Sequence, residues 1–206
     1  LRGKQPGQVD IPEVQALKRV IRETEAVSAL ESVGLDAGNA RFLNLPFYQT
    51  GKVKKDPITR ADVDILLSLL EELQPHMVFA AGDLSDPHGT HRMCLEAVEE
   101  AMALYSGPAP DLWLYRGAWQ EWNVNEADVL VPLSEGELRQ KIMAIFKHQS
   151  QKDKAPFPGS DEREFWQRTE ARNRDTADLL ARLGLPAYYA MEAYVVRREG
   201  KRVENP

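Results

Sequence analysis

Val78-Phe79-Ala80-Ala81-Gly82-Asp83-Leu84-Ser85-Asp86-Pro87-His88-Gly89-Thr90-His91 is the stretch on which the reading of this chain turns. Its apolar start reads as a buried strand, and Gly82 to Gly89 as a polar turn into a helix. In an open parallel sheet, ligands sit at the carboxyl ends of the strands. The turn carries two of the chain's four histidines, His88 and His91, spaced three residues apart where the next helix begins. On one helical face two imidazoles can share a metal ion or a substrate oxygen. The plainer alternative is one capping histidine and one surface histidine, because H-x-x-H matches no generic zinc pattern. Asp83 and Asp86 lie in the same turn. A carboxylate there can orient the second nitrogen of an imidazole. Two histidines and a carboxylate would leave a position for a water, which zinc makes nucleophilic near neutral pH.

Outward from that turn, helices alternate with short apolar strands. Asp10 and Pro12 suit a helix N-terminus, and Leu17, Val20, Ile21, Val27 and Leu30 recur at helical spacing as far as Gly34. Arg41–Leu45 reads as a short strand, and Pro46–Pro57 as a loop. Thr59 can cap a second helix with an apolar stripe of Val63, Leu66, Leu67, Leu70 and Leu73, stopped by Pro75. Downstream of the histidine turn a helix is expected to about Tyr105, then strands at Leu112–Tyr115 and Asp128–Val131. Ser134-Glu135-Gly136-Glu137 has the capping-box pattern and opens a helix toward His148. A long helix is expected from about Asp161 to Leu183, closed by Gly184 and Pro186. Tyr188–Val196 is equally readable as helix or strand. The pattern predicts an α/β fold, a Rossmann-like three-layer α/β/α domain with a mostly parallel sheet. No G-x-G-x-x-G or P-loop run is present, which argues against nucleotide phosphates as the main ligand.

Composition narrows the partners. A chain of 206 residues suffices for one well-buried domain, so residues 1–206 are expected to form a single domain with a polar lead at 1–12. The net charge of -6 and the lack of a long Lys/Arg stripe argue against nucleic acid. No apolar run is long enough to span a membrane, and no signal-peptide pattern opens the sequence. The lone Cys94 rules out an internal disulfide and fits a reducing, cytoplasmic setting. The opening Leu1-Arg2-Gly3-Lys4 reads as the middle of a longer polypeptide.

Several stretches together resemble a known family, the PIG-L/LmbE-type zinc N-deacetylases. The strand, the Asp-Pro-His-Gly-Thr-His turn and the following helix resemble its second motif. Arg22-Glu23-Thr24-Glu25 resembles its R-x-x-E helix, and Phe42-Leu43-Asn44-Leu45-Pro46 its next strand. Lys141-Ile142-Met143-Ala144-Ile145-Phe146-Lys147-His148-Gln149-Ser150-Gln151 resembles its late K-x-x-A-x-x-x-H-x-S-Q segment. Tyr115-Arg116-Gly117-Ala118-Trp119-Gln120-Glu121-Trp122 and Phe165-Trp166-Gln167-Arg168 resemble a bacterial subgroup fused to a glucosamine-6-phosphate deaminase-like domain.

The resemblance implies hydrolysis of an N-acetyl group on an amino sugar or related substrate. His91 would be a zinc ligand, and His88 would stabilise the developing oxyanion, with Asp86 beside it. Arg22 would contact substrate through its planar fork. Its alternative is a surface pair with Glu25. His148 reads as structural, near a helix C-terminus, with Ser150 and Gln151 ordering the loop. The tryptophans are expected to pack rather than stack on sugar. The family's first motif, His-Pro-Asp-Asp, is absent from the sequence, and Phe47 stands where the family has an acidic residue. The first strand or strands, the general base and the remaining zinc ligands are therefore expected from an upstream segment of the same polypeptide. Zinc should be held weakly by these residues alone. Two alternatives stand beside this reading. One is a non-catalytic module that packs on or regulates a glucosamine-6-phosphate deaminase-like domain and leaves sugar-phosphate binding to it. The other is an assembly role, with Trp113–Trp122 as a homo-oligomer interface.

Overall fold

The computed structural model describes residues 8–49, 55–82, 89–116, 121–151 and 162–198. They form six α-helices and four β-strands, a mixed α/β fold whose sheet has the order β1-β2-β4-β3. The strands are β1 (Met77–Ala81), β2 (Asp111–Tyr115), β3 (Val129–Leu133) and β4 (Ala190–Arg197). The helices are α1 (Pro12–Ser32), α2 (Pro46–Gln49), α3 (Arg60–Leu73), α4 (Thr90–Leu104), α5 (Glu135–Lys147) and α6 (Phe165–Arg182). The chain divides into two compact units. The first comprises Leu1–Leu17, Leu43–Leu114 and Val196–Pro206, and the second Lys18–Phe42 and Tyr115–Val195.

The first unit is a helix pair on a strand. Val63 and Leu70 of α3 close on Ala101 of α4, with Leu66, Leu67, Val78, Met102 and Tyr105 packed around them. Val78 points into this cluster, while its neighbours Met77 and Phe79 are 50% and 53% exposed. The two-residue period of a strand sends alternate side chains to opposite faces, and here one face is covered and the other largely open. Phe79 lies 5.5 Å, centroid to centroid, from the Trp113 ring of β2. β1 and β2 are neighbours in the sheet, with α4 between them along the chain.

The start of α3 is fixed by a buried acid. Asp62 is fully buried. Its Oδ1 accepts from the Phe47 N–H at 2.9 Å, and its Oδ2 from the Thr59 N–H at 2.8 Å and the Thr59 hydroxyl at 2.7 Å. Burial pushes the carboxyl up, but these donors outweigh it and hold Asp62 below its ordinary value. They also turn the expected Pro46 loop into the short α2, because Phe47 is only 2% exposed and its N–H needs an acceptor. Residues 50–54 of that expected loop lie outside the described residues.

In the second unit, β3 and β4 run antiparallel, from Val129↔Tyr194 to Leu133↔Ala190. Ala177 and Leu180 of α6 pack on Met191 of β4, with Val124 and Leu130 alongside. The capping box of α5 forms as its sequence requires. The Glu137 amide donates to Ser134 Oγ at 3.3 Å, and the Glu137 carboxylate accepts from the Ser134 N–H at 2.7 Å. Gly34 after α1 and Gly184 after α6 have φ of +88° and +95°, a region that side chains with a Cβ rarely enter.

Two local expectations change. Arg41–Leu45 is not a strand, and Asn44 has φ +52°. A strand exists only where a neighbour completes its hydrogen-bond ladder, which apolar composition cannot supply. Tyr188–Val196 resolves as strand β4 over Ala190–Arg197, because β3 offers it that ladder.

Candidate functional site

His91 is the second residue of α4, just after Gly89, which takes φ +66° at the helix N-cap. It is half-buried, and its Nδ1 is buried with no hydrogen-bond partner among the described residues. A buried ring nitrogen left without a partner costs about 1–3 kcal/mol. Asp86 and His88, the other candidates of this turn, fall within 83–88 and lie outside the described residues. Among the described residues, no three of His, Cys, Asp and Glu converge tightly enough to hold a metal ion. An imidazole nitrogen such as that of His91 is of the kind zinc takes, and the described residues do not complete a set around it.

Arg22 is exposed on α1. One turn further on, Glu25 is 9% exposed. Its Oε1 accepts from the Ser150 N–H at 2.6 Å and its Oε2 from the Ser150 hydroxyl at 2.7 Å. Burial raises the Glu25 carboxyl, and the Ser150 hydroxyl and amide, with His148 and Gln151 behind them, more than reverse that and lower it. The R-x-x-E and H-x-S-Q stretches, 125 residues apart, are thus two halves of one contact. Sequence reading paired Glu25 with Arg22 as a surface alternative and missed this partner. The only sequence signal was that both stretches belong to one set of motifs.

His148 caps α5, donating its N–H to the Ile145 carbonyl at 3.0 Å and accepting from the Gln151 N–H at 3.0 Å. This is the helix-end position expected for it. Of the tryptophans, Trp113 meets Phe79, and Trp166 meets Phe146 at 5.7 Å while donating Nε1–H to Glu164. Trp122 lies 3.9 Å beneath the Arg116 guanidinium. Trp119 lies outside the described residues.

No helix among the described residues is long and apolar enough to cross a membrane. The α/β layering and a histidine-bearing helix after β1 define a class of Rossmann-like α/β proteins. Residues 2–102, just under half of the chain, match the model of the PIG-L family, described as GlcNAc-PI de-N-acetylase.

The chain is also 48% identical, over 201 residues, to a protein of Bacteroides thetaiotaomicron described as glucosamine-6-phosphate deaminase-like. The match takes in 95% of this chain and spans about 30% of that relative's length. Among solved structures, the 4-carboxy-2-hydroxymuconate hydratase GalB of Pseudomonas putida superposes with a TM-score of 0.61 at 15% identity, covering 100% of this chain and 82% of that one. A conserved protein of Thermus thermophilus, TT1542, gives 0.59 at 20% identity, covering 94% and 77%. These two likenesses establish the fold. They leave the reaction open, because one of the two proteins is a hydratase.

Proposed function

We propose that this chain is part of a zinc-dependent N-deacetylase that hydrolyses the N-acetyl group of an amino sugar or related substrate. The carrying observation is His91, whose buried Nδ1 lacks a partner among the described residues, at the head of the helix after β1 and inside the stretch that matches the family. His91 would hold the ion, and His88, Asp86 and Arg22 would serve the substrate. When bound, zinc would supply a water activated for attack on the amide carbonyl. The missing ligands and the general base would come from an upstream segment of the same polypeptide, consistent with a relative more than three times as long. Among the described residues β1 stands at the end of the strand order, so a further strand could pair along its edge.

The test uses the longer natural polypeptide and this chain alone. Zinc is measured by mass spectrometry, and acetate release from N-acetylglucosamine derivatives is followed in both. The longer form should hold zinc and release acetate, and His91→Ala should remove both. Equal zinc in the two forms, or full zinc in the His91→Ala variant, would overturn the assignment. A second reading is favoured by the relative's description, namely a non-catalytic module that packs on or regulates a glucosamine-6-phosphate deaminase-like domain. It would prevail if the longer polypeptide bound sugar phosphate but no metal.

A further inference from the structure

The second unit holds a cavity of about 240 Å³ that His91 does not line. Its floor is ionic. Lys141 of α5 donates Nζ–H to Asn173 Oδ1 at 2.9 Å and to Glu192 Oε1. The Tyr194 hydroxyl donates to Glu192 Oε2 at 2.7 Å. Arg172 Nε lies 2.9 Å from Glu121 Oε2, close enough for an ion pair although the N–H is not aligned for a hydrogen bond. Glu121 Oε1 accepts from the Trp122 N–H at 3.0 Å. The side chains of Glu121 and Arg172 are 12% and 13% exposed. Phe165 and Ile145 supply apolar wall.

So much buried charge is a poor way to stabilise a fold, since desolvation consumes most of the Coulombic gain. The arrangement makes better sense as a receptor. A carboxylate offers about four acceptor positions. Each oxygen of Glu121 and Glu192 is met by one of the partners above, and both residues line the cavity. Burial is the largest influence on Glu121 and raises its carboxyl despite Arg172, as for an anion short of compensating donors. An acceptor-rich floor under apolar walls suits a ligand with several hydrogen-bond donors and an apolar face. The volume lies below the usual range for drug-sized ligands, about 300–1,000 Å³, and suits a single ring.

We propose that this cavity binds a ring-sized, polyhydroxylated primary amine, an amino sugar, with its ammonium group on Glu121 and its hydroxyls on Glu192 and Lys141. The assignment does not rest on the deacetylase reading, because the cavity is separate from His91 in its lining.

Isothermal titration of the full natural polypeptide with glucosamine and with glucose tests it. Glucosamine should bind saturably and at least about tenfold more tightly than glucose, the discrimination that one charge-assisted hydrogen bond provides. Glu121→Gln should bring glucosamine down to the level of glucose, while Glu121→Asp keeps the preference. Ile145→Trp should block both sugars by filling the wall without touching either ion pair. Circular dichroism establishes that each variant is folded, and if Glu121→Gln is not, Ile145→Trp and Glu121→Asp decide. His91→Ala should leave glucosamine binding unchanged even where it abolishes zinc uptake, so the two proposals fail separately. No saturation, equal affinity for the two sugars, an unchanged preference in Glu121→Gln, or unimpaired binding in Ile145→Trp would each overturn the assignment.

Discussion

Replacing Glu25 by Gln tests the contact that ties α1 to the turn after α5. The carboxylate is nearly buried and takes both the amide and the hydroxyl of Ser150, at 2.6 and 2.7 Å. Hydrogen bonds to a charged group contribute about 1.5–3 kcal/mol each where desolvated. Ser150 itself is exposed, so water offsets part of the loss. A glutamine keeps one acceptor oxygen and turns an NH₂ toward a donor. A net loss of about 2 kcal/mol follows, or roughly 4–8 °C in melting temperature for a chain of this size.

The pH dependence fixes the sign. The folded state lowers the Glu25 carboxyl below its ordinary value of 4.5. Its stabilising contribution is therefore complete above about pH 4.5 and is lost as pH falls through the lower folded value. The gap between wild type and Glu25→Gln should be widest near neutrality and close in acid. Urea unfolding from pH 3 to 7, with Ser150→Ala and the double variant, measures it, the pH range being roughly that over which carboxylates titrate. The contact is refuted if the two single losses add without coupling, or if the gap stays constant with pH.

Asp62→Asn should destabilise by about 1–3 kcal/mol, because its NH₂ must face one of three donors in a fully buried site; thermal denaturation followed by circular dichroism reads this. Asn173 is also fully buried and bridges Lys141 and the Met191 carbonyl. Asn173→Ala leaves both without this partner and should cost about 2–4 kcal/mol, whereas a loss under about 0.5 kcal/mol would mean the bridge does not form. Ser134→Ala removes the cap of α5 and should cost about 1 kcal/mol by urea titration, with Ser134→Asp close to wild type.

The sequence determined what depends on near neighbours. Thr59 and Asp62, or Ser134 and Glu137, lie three residues apart and cap a helix wherever it packs. Gly34 and Gly184 mark helix ends because left-handed backbone suits a residue without Cβ. The apolar stripe of α3 and the run before the histidine turn gave a helix and a strand by period alone. His91 could likewise be singled out by its spacing from His88 and its place after a strand.

Tertiary structure decided whatever needs a distant partner. Ala190–Arg197 became a strand and Arg41–Leu45 did not, although both are short and apolar, because only the first meets a strand that completes its backbone hydrogen bonds. Glu25 looks like a surface residue of an R-x-x-E helix until Ser150, 125 residues away, claims its carboxylate. Lys141, Arg172 and Glu121 are ordinary charged residues in sequence, each on a different segment. Folding brings them around one cavity and strips them of water, and that loss of solvent turns three scattered charges into a candidate binding site.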